Sequence, residues 1–113
     1  METITAETEI ETAGFRWLEG DGGVRAIACE PLEREGFANA FSTRGGGVSP
    51  FPEASLNLAG FDQDAAENIR ENRRRFLSAL GGGWKLAASW QVHGERVRVV
   101  RDAEDPDLEN EHC

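Results

Sequence analysis

One segment of the sequence has a sustained helical period, and it lies between stretches that have the composition of strands. Apolar residues on one helical face recur from position 65 to position 80, at Ala65, Ala66, Ile69, Phe76, Leu77 and Leu80. Asp62 or Asp64 can cap this helix, because a short carboxylate accepts the amide hydrogens of the first turn. Gly81–Gly83 then end it, since glycine adopts the left-handed C-terminal turn at low cost. A single helix between strands predicts an α+β fold rather than a regular βαβ alternation.

A turn signal near the N-terminus predicts a β-hairpin. The tetrapeptide GDGG at 20–23 is flanked by two short stretches that contain apolar residues. Glycine next to aspartate is typical of tight turns. We therefore expect Phe15 and Trp17 on one strand to pair with Val24 and Ile27 on the other.

The other stretches around the helix are expected to be strands and one long loop. The segment 36–44, GFANAFSTR, predicts a strand that ends in a polar turn. The segment 45–60, GGGVSPFPEASLNLAG, fits neither period, so we expect an ordered loop, with or without a short strand at SLNL. After the helix, Leu86–His93 and Arg96–Arg101 are expected to be two further strands.

The charge of the chain narrows the classes of partner. The formal net charge is −9, from 21 acidic and 12 basic residues, whereas nonspecific binding to nucleic acid needs a basic surface. No apolar run approaches the roughly 20 residues that a membrane helix needs, and the N-terminus lacks the pattern of a secretory signal. We expect no nucleic-acid partner and no membrane association. The acidic ends, 1–12 and 102–113, have a composition typical of disordered segments, which leaves 13–101 as the folded part.

The two cysteines give no sign of an oxidising compartment. Cys29 and Cys113 lack the short spacing of a disulfide framework or of a zinc knuckle. Both fit the reduced cytoplasm, so we expect a cytoplasmic protein.

The stretch FSTRGGGVS at 41–49 has the residue types of an anion site. Three glycines let the backbone approach a ligand and direct amides toward it. Arg44 adds a planar guanidinium that suits phosphate or carboxylate. The stretch is not a Walker loop, since it lacks the GK[ST] ending and the helix that follows. A hairpin with a surface arginine explains the same residues more simply, and both interpretations stay open.

Two further polar features have structural explanations. Asn57 lies between two leucines in SLNL, where its amide can lock a loop or contact a ligand, and the structural role is favoured. The adjacent arginines 73–75 fan around a helix rather than sharing one face. Acidic residues one turn earlier, such as Glu71, can pair with them, so we expect a solvated helix surface.

The histidine of WQVHG at 90–94 is the sharpest candidate for chemistry. A neutral imidazole is a common zinc ligand, and a catalytic zinc needs three protein ligands and an open position. The other candidate ligands are Cys29, His112 and Cys113, and the last two lie in the acidic C-terminal segment. From the residues alone, His93 is better explained as a buried histidine with satisfied hydrogen bonds than as a metal ligand.

Four stretches, taken together, resemble a known family. They are FSTRGGGVS, SLNLAGF, ENIRENRRRFLSALG and WQVHG before a valine-rich strand. Their order and spacing are similar to the N-terminal half of the YfiH-like family, also called the laccase-domain or polyphenol oxidase family. The resemblance runs from about Gly36 to Val100. Each motif is weak alone, but four in this order are specific.

The resemblance implies a fold, an activity and a metal. The family fold is α+β, a mixed β-sandwich flanked by helices in α/β/β/α layers, so 13–101 would be the N-terminal part of that domain. Members, first called multicopper oxidases, are described as zinc-dependent enzymes that split adenosine, inosine, guanosine or methylthioadenosine with phosphate, and that deaminate adenosine. The resemblance implies that His93 is a zinc ligand and that Arg44 lies near the phosphate or ribose. It makes Asn57 a candidate substrate-binding residue.

The chain departs from the family pattern in one respect. Family members are longer, and their later half carries an ADC-type motif and an HAGWRG-type motif with the other two metal ligands, neither of which occurs here. We therefore expect the chain to be the N-terminal part of a longer enzyme. One alternative is an inactive or partner-dependent half-domain, for example in a homodimer. Another is a copper polyphenol oxidase, against which the single suitable histidine argues.

Overall fold

The chain combines helices and antiparallel strands without a regular alternation, which confirms the predicted α+β class. The computed structural model describes residues 6–50, 52–60, 63–90, 92–97, 99 and 107–112. In chain order the elements are α1 (Ala6–Thr12), β1 (Phe15–Glu19), a short 3-10 helix (Asp21–Gly23), β2 (Arg25–Cys29), α2 (Glu30–Arg34), β3 (Phe41–Ser42), β4 (Gly45–Ser49), α3 (Ala66–Ser78), β5 (Ala88–Trp90) and β6 (Asp107–His112). None of the helices in these ranges has the length and apolar character that crossing a membrane would require.

The predicted hairpin is present as β1 and β2. Trp17 pairs with Ile27, as expected, and Phe15 pairs with Cys29. Val24 lies in the turn rather than in a strand, and its carbonyl oxygen accepts a hydrogen bond from the Gly20 amide at 2.8 Å. The strand β3 pairs with β2 and completes a three-stranded antiparallel sheet in the order β1-β2-β3. The strand predicted over 36–44 is present only as the two residues of β3.

The first of the two strands predicted after the helix is shorter than expected. Among the described residues of the predicted strand Leu86–His93, Ala88–Trp90 form a strand and the others do not; this strand pairs in parallel with β6. Arg96, Val97 and Val99 lie outside any strand, and the rest of the predicted strand 96–101 lies outside the described residues. Parts of both acidic ends have regular structure, as α1 and β6.

The core lies where the three-stranded sheet meets the end of α3. Alternate residues of β2 are buried, and they pack with residues of β1 and of the α3 C-terminus; the buried cluster is Leu18, Ala26, Ala28 and Ala79, with Ala40, Phe76 and Leu80 packed against it. Ile69 is fully buried further along the same helix. Burial of one such side chain stabilises a fold by about 1.5–3 kcal/mol. The packing of Phe76, Ala79 and Leu80 on the hairpin residues holds the end of α3 against the sheet.

Both ends of α3 lie close to where the sequence predicts them, but the N-cap residue differs from the predicted one. Ala65, not an aspartate, occupies the N-cap position. Asp64 lies one residue earlier, and its Oδ1 accepts a hydrogen bond from the Ala65 amide at 2.7 Å. The alternative cap, Asp62, lies outside the described residues. At the other end Gly81 has a φ of 69° and its amide donates to the Ser78 carbonyl at 3.1 Å, which confirms the predicted glycine stop.

The glycine-rich segment contains a strand that its sequence does not predict. Residues 45–49 form β4, and both Gly45 and Ser49 form antiparallel bridges with Ser55. The prediction of an irregular loop is therefore wrong for 45–49. The sequence hides this strand because three glycines lack the β-branched and aromatic side chains that strands usually show.

Candidate functional site

Arg44 lies between β3 and β4 with an exposed side chain. Its carbonyl oxygen accepts a hydrogen bond from the Leu56 amide at 2.6 Å, so its backbone is held against the loop after β4. Its guanidinium forms no ion pair or hydrogen bond with any residue that the structure describes. Five N–H donors are thus available to a planar anion at the surface.

The glycines after Arg44 contact the chain's own backbone. Gly46 has a φ of 92°, and a Cβ at this position would lie 2.5 Å from the Val24 nitrogen. A Cβ at Gly47 would lie 2.6 Å from the Cα of Leu56. Both glycines are therefore needed for close approach of backbone to backbone, which is a structural reason for the GGG run that involves no ligand.

At least one of the glycine amides is used inside the fold. The Gly47 amide donates to the Ala54 carbonyl oxygen at 3.0 Å. The next amide, that of Val48, donates to the side-chain oxygen of Asn72 at 2.9 Å. The expectation that this run directs its amides toward a ligand is wrong for Gly47, because its donor already has a partner.

Asn57 locks the loop that carries it. Its Oδ1 accepts a hydrogen bond from the Ala59 amide at 3.0 Å, and its backbone oxygen accepts one from Nδ2 of Asn72 at 2.9 Å. These bonds agree with the structural role that the sequence favours. The Nδ2 group of Asn57 has no partner among the described residues, and the side chain is partly exposed. A donor therefore remains for a bound molecule.

Asn72 is a buried polar residue that sequence analysis does not single out. It is 0% exposed. Its Oδ1 accepts from the Val48 amide, and its Nδ2 donates to Ser49 Oγ and to the Asn57 carbonyl oxygen, each at 2.9 Å. The available signal is its position three residues after Ile69, on the apolar face of the helix. An amide on such a face needs buried partners.

Ser49 extends this network to the start of α3. Its buried hydroxyl donates to Oδ2 of Asp64 at 2.6 Å. The Ser49 hydrogen bond, and then the one from the Ala65 amide, lower the pKa of the Asp64 carboxyl below its usual range. The Asp64 carboxylate is thus the final acceptor in a series of hydrogen bonds that joins α3, β4 and the loop 55–59.

The helix arginines connect α3 to two other segments. Glu71 accepts hydrogen bonds from Arg74 at 2.6 Å and from Arg75 at 3.1 Å, and these bonds lower the pKa of Glu71 to about 2. Arg74 also pairs with Asp21 at 2.8 Å, and Arg75 donates to the Gly46 carbonyl oxygen at 2.9 Å. The predicted pairing with Glu71 is confirmed. The prediction of a solvated surface is wrong for Arg75, whose side chain is 23% exposed.

His93 is exposed, and the prediction of a buried histidine is wrong. It lies three residues beyond the end of β5, in a segment without regular structure, where no hydrogen bond joins it to the described residues. The backbone of His112 pairs with Trp90, Cys29 is a free thiol on β2, and Cys113 lies outside the described residues. Within the described ranges no three His, Cys, Asp or Glu side chains come together as a metal site. The described residues therefore do not fit a complete zinc site, and we derive no reaction step through zinc.

A cleft of about 450 Å³ lies between β1 and the end of α3. Its lining includes Arg16, whose guanidinium forms two hydrogen bonds with Glu33 at 2.8 and 2.7 Å. These two hydrogen bonds raise the pKa of Arg16 and lower the pKa of Glu33. None of the three predicted site residues lines this cleft, so the cleft and the predicted site do not coincide.

The structure joins two of the predicted site residues through backbone contacts. Arg44 and Asn57 lie on segments that hydrogen-bond to each other and to Asn72. No hydrogen bond joins His93 to either segment among the residues described. A sequence profile of the family described as multi-copper polyphenol oxidoreductase laccase matches residues 38–111, a range that contains all three.

The chain belongs to this family. Curated relatives agree with the match. A purine nucleoside phosphorylase from Deinococcus radiodurans is 45% identical over 60 residues, which cover 52% of this chain and 23% of the relative. Purine nucleoside phosphorylase YfiH from Escherichia coli is 42% identical over 65 residues, which cover 56% of this chain and 26% of the relative. A purine nucleoside phosphorylase from Corynebacterium glutamicum is 36% identical over 64 residues, which cover 56% and 26%.

The resemblance to the YfiH-like family is thereby confirmed. The chain spans about a quarter of the length of the curated relatives that it matches. No solved structure gives a significant match.

Proposed function

We propose that the full-length protein to which this chain belongs is a purine nucleoside phosphorylase. The observation that carries the proposal is that relatives with this name match between 60 and 65 residues of the chain. The family profile matches residues 38–111, which include Arg44, Asn57 and His93. In this reaction phosphate attacks C1′ of the nucleoside, the bond to the purine nitrogen breaks, and ribose 1-phosphate and the free base are formed. We extend the proposal to adenosine, inosine, guanosine and methylthioadenosine as substrates.

Arg44 is proposed to bind the phosphate, with Asn57 as a second donor to phosphate or ribose. The support is the exposed guanidinium, which has no partner among the described residues, and the Asn57 amide nitrogen, whose oxygen is already used. Charge-assisted hydrogen bonds from a planar guanidinium are suited to phosphate oxygens. Such a group would bind the phosphate and orient it for attack on C1′, while the negative charge of the broken bond goes to the departing purine.

His93 is proposed as one zinc ligand of the full-length enzyme. Its exposure leaves the imidazole accessible, and the remaining ligands would come from parts of the protein beyond this chain. Zinc held at such a site would supply Lewis-acid chemistry. We propose adenosine deamination as a second activity, as the resemblance to the YfiH-like family implies. Copper is the alternative metal.

The proposal is tested with the full-length protein, purified from a cytoplasmic extract. We expect phosphate-dependent release of hypoxanthine from inosine, followed at a fixed inosine concentration with increasing inorganic phosphate. Arg44→Ala should raise KM for phosphate or lower kcat, whereas Arg70→Ala, an exposed arginine on α3, should change neither. Hypoxanthine release that does not depend on phosphate would rule out a phosphorylase.

A second candidate is a half-domain that is inactive alone and needs a partner, such as a second copy of the chain. The exposed apolar side chains after α3 favour this candidate, because such groups are usually covered by other protein; they include Trp84, Val92, Val97 and Val99. Gel filtration of the chain tests it. A stable monomer at all concentrations would count against pairing, and a dimer that releases hypoxanthine would support it.

A third candidate is a copper polyphenol oxidase, which the description of the family profile favours. Copper oxidases normally use several histidines or a set of His, Cys and Met, and this chain has two histidines in all. Oxygen uptake with a phenol by the copper-loaded full-length protein is the test. Oxygen uptake that is unchanged in His93→Ala would exclude His93 as a ligand of the oxidase copper.

A further inference from the structure

We infer that Asn72 is a positioning residue for the proposed anion site. Its side-chain amide holds the loop that carries Asn57 against the strand that follows Arg44. The inference deepens the proposed function and rests on it for the reaction that the site serves. The hydrogen bonds that carry the inference involve only described residues.

Asn72 makes three side-chain hydrogen bonds at this point, one through its oxygen and two through its nitrogen. Its oxygen accepts from the Val48 amide on β4. Its nitrogen donates one hydrogen to Ser49 Oγ, also on β4, and the other to the carbonyl oxygen of Asn57 in the loop. A carboxylate of the same shape could replace the acceptor but neither donor. Asparagine therefore matches a strand and a loop that present one donor and two acceptors.

The location of Asn72 makes these bonds effective. The side chain is 0% exposed and Ser49 is 1% exposed, so water cannot replace a broken bond without opening the packing. The Ser49 hydroxyl passes the network on to Asp64 at 2.6 Å, just before α3. The strand β4, the loop 55–59 and the segment just before α3 are thus all held in place relative to α3.

Both candidate ligand groups depend on this arrangement. The Leu56 amide, one residue before Asn57, donates to the Arg44 carbonyl oxygen at 2.6 Å. Movement of the loop away from β4 would therefore release the Arg44 backbone as well. Arg44 and Asn57 each keep free side-chain donors within the described part of the chain. Asn72 sets where the backbones of these two donors lie, without contacting the anion itself.

Asn68 provides a matched control. It is the same residue type, one turn earlier on α3, and its side chain makes one long hydrogen bond, 3.4 Å to Asp64. Asn68→Ala therefore removes an asparagine amide from the helix and leaves the strand and the loop connected.

Amide hydrogen exchange on the chain tests the positioning role directly. In Asn72→Ala we expect exchange at the Leu56 and Val48 amides to accelerate about tenfold or more. We expect less than about twofold change at the amides of Gly20, in the hairpin turn, and of Glu30, at the start of α2. Equal acceleration at all four amides in Asn72→Ala would show a merely global loss of stability and overturn the inference.

A milder variant keeps the test decisive if Asn72→Ala does not fold. Ser49→Ala removes one of the three bonds to Asn72 and leaves the other two. It should accelerate Leu56 exchange more than exchange at Gly20 or Glu30. Unchanged exchange at Leu56 in Ser49→Ala, together with an unfolded Asn72→Ala, would assign Asn72 to general stability alone and overturn the inference.

Phosphorolysis of inosine by the full-length protein gives the functional measurement. Asn72→Ala should raise KM for inorganic phosphate about tenfold while kcat falls less than about twofold, and Asn68→Ala should change neither. A fall in kcat at constant KM would indicate a lower active fraction and contradict a positioning role. If the unaltered enzyme performs no phosphorolysis, the proposed function fails, and the exchange pattern still decides whether Asn72 holds the loop.

Discussion

Side chains on the two sides of the Gly81–Gly83 turn have very different surroundings. In α3, before the turn, Ile69 and Asn72 are fully buried, and Arg75 reaches the carbonyl oxygen of Gly46 at 2.9 Å. After the turn, large apolar side chains are exposed instead: Trp84, Leu86, Val92, Val97 and Val99. In the first region, which is α3 with β4 and the loop 55–59, the buried side chains of Asn72 and Ser49 have partners in this chain. The described residues of the second region do not cover its large apolar side chains.

This difference separates the predicted site residues into two groups. Arg44 and Asn57 lie on segments that α3 holds in place through Asn72, so the chain itself builds their framework. His93 lies in the exposed second region, without a hydrogen bond to any residue described there. Motifs that mark the same family therefore differ in how firmly the described residues hold them in place. The proposed phosphate side uses residues that the structure describes, whereas the described residues hold no complete ligand set for the proposed metal side.

Ile69→Ala should have the largest effect on stability, because the side chain is fully buried. We expect a loss of about 2–5 kcal/mol in the free energy of unfolding, from lost burial and the cavity left behind. Urea denaturation measures it. Val97→Ala is the control in the second region, where the side chain is 82% exposed, and it should change stability by less than about 0.5 kcal/mol. Similar losses in the two variants would break the comparison.

Gly47→Ala should destabilise the first region, because the position has no room for a side chain. The added Cβ would lie 2.6 Å from the Leu56 Cα, and backbone atoms cannot yield as side chains do. We expect a cost of about 1–3 kcal/mol, typical of overpacking. Gly45→Ala, on the same strand, is the control, because a Cβ there meets nothing within 4 Å. Denaturation midpoints that fall equally would show that close approach is not what requires Gly47.

Glu71→Gln should reduce the dependence of stability on acid. The hydrogen bonds from Arg74 and Arg75 lower the pKa of Glu71 from 4.5 to about 2 in the folded chain. A lowered folded-state pKa gives stability that is present above the unfolded pKa and is lost as pH falls from about 4.5 toward 2. The unaltered chain should therefore lose more Tm between pH 6 and pH 3 than Glu71→Gln. Asp64 and Glu33 also have lowered pKa values, but they titrate in both proteins, so the difference isolates Glu71.

Glu95→Gln serves as the acid control from the second region. Glu95 is exposed and has no ion pair with a described residue. The Tm of Glu95→Gln should equal the Tm of the unaltered chain at pH 6 and at pH 3. A Glu71→Gln variant that also follows the unaltered chain would mean that the Arg74 and Arg75 contacts do not form in solution.

His93→Ala should have the smallest effect on the fold, because the side chain is exposed. We expect a change of less than about 0.5 kcal/mol in the free energy of unfolding of the chain. In the full-length protein the same variant should lose bound zinc, measured by metal analysis after dialysis. Retained zinc would exclude His93 as a ligand, and a large loss of stability would show that the second region is more tightly packed than the comparison implies.

The predictable parts of the fold are those with local causes. The GDGG turn set the hairpin, since its residues favour a turn wherever they occur, and the period of apolar residues together with Gly81 set α3 and its end. The strand β4 and the role of Asn72 could not be predicted in the same way. Three glycines carry no strand signal, and the partners of Asn72 lie between 15 and 24 residues away along the chain.

The sequence by itself determined the α+β class, the hairpin, the helix and, through motifs in order, the family. Only the tertiary structure decided that Asn72 ties Val48 and Ser49 to Asn57, that Gly46 and Gly47 closely approach other backbone segments, and that His93 is exposed. The physical reason is the range of the interactions. Turn and helix preferences act within a few residues, whereas burial and hydrogen-bond partners depend on which distant segments meet in space.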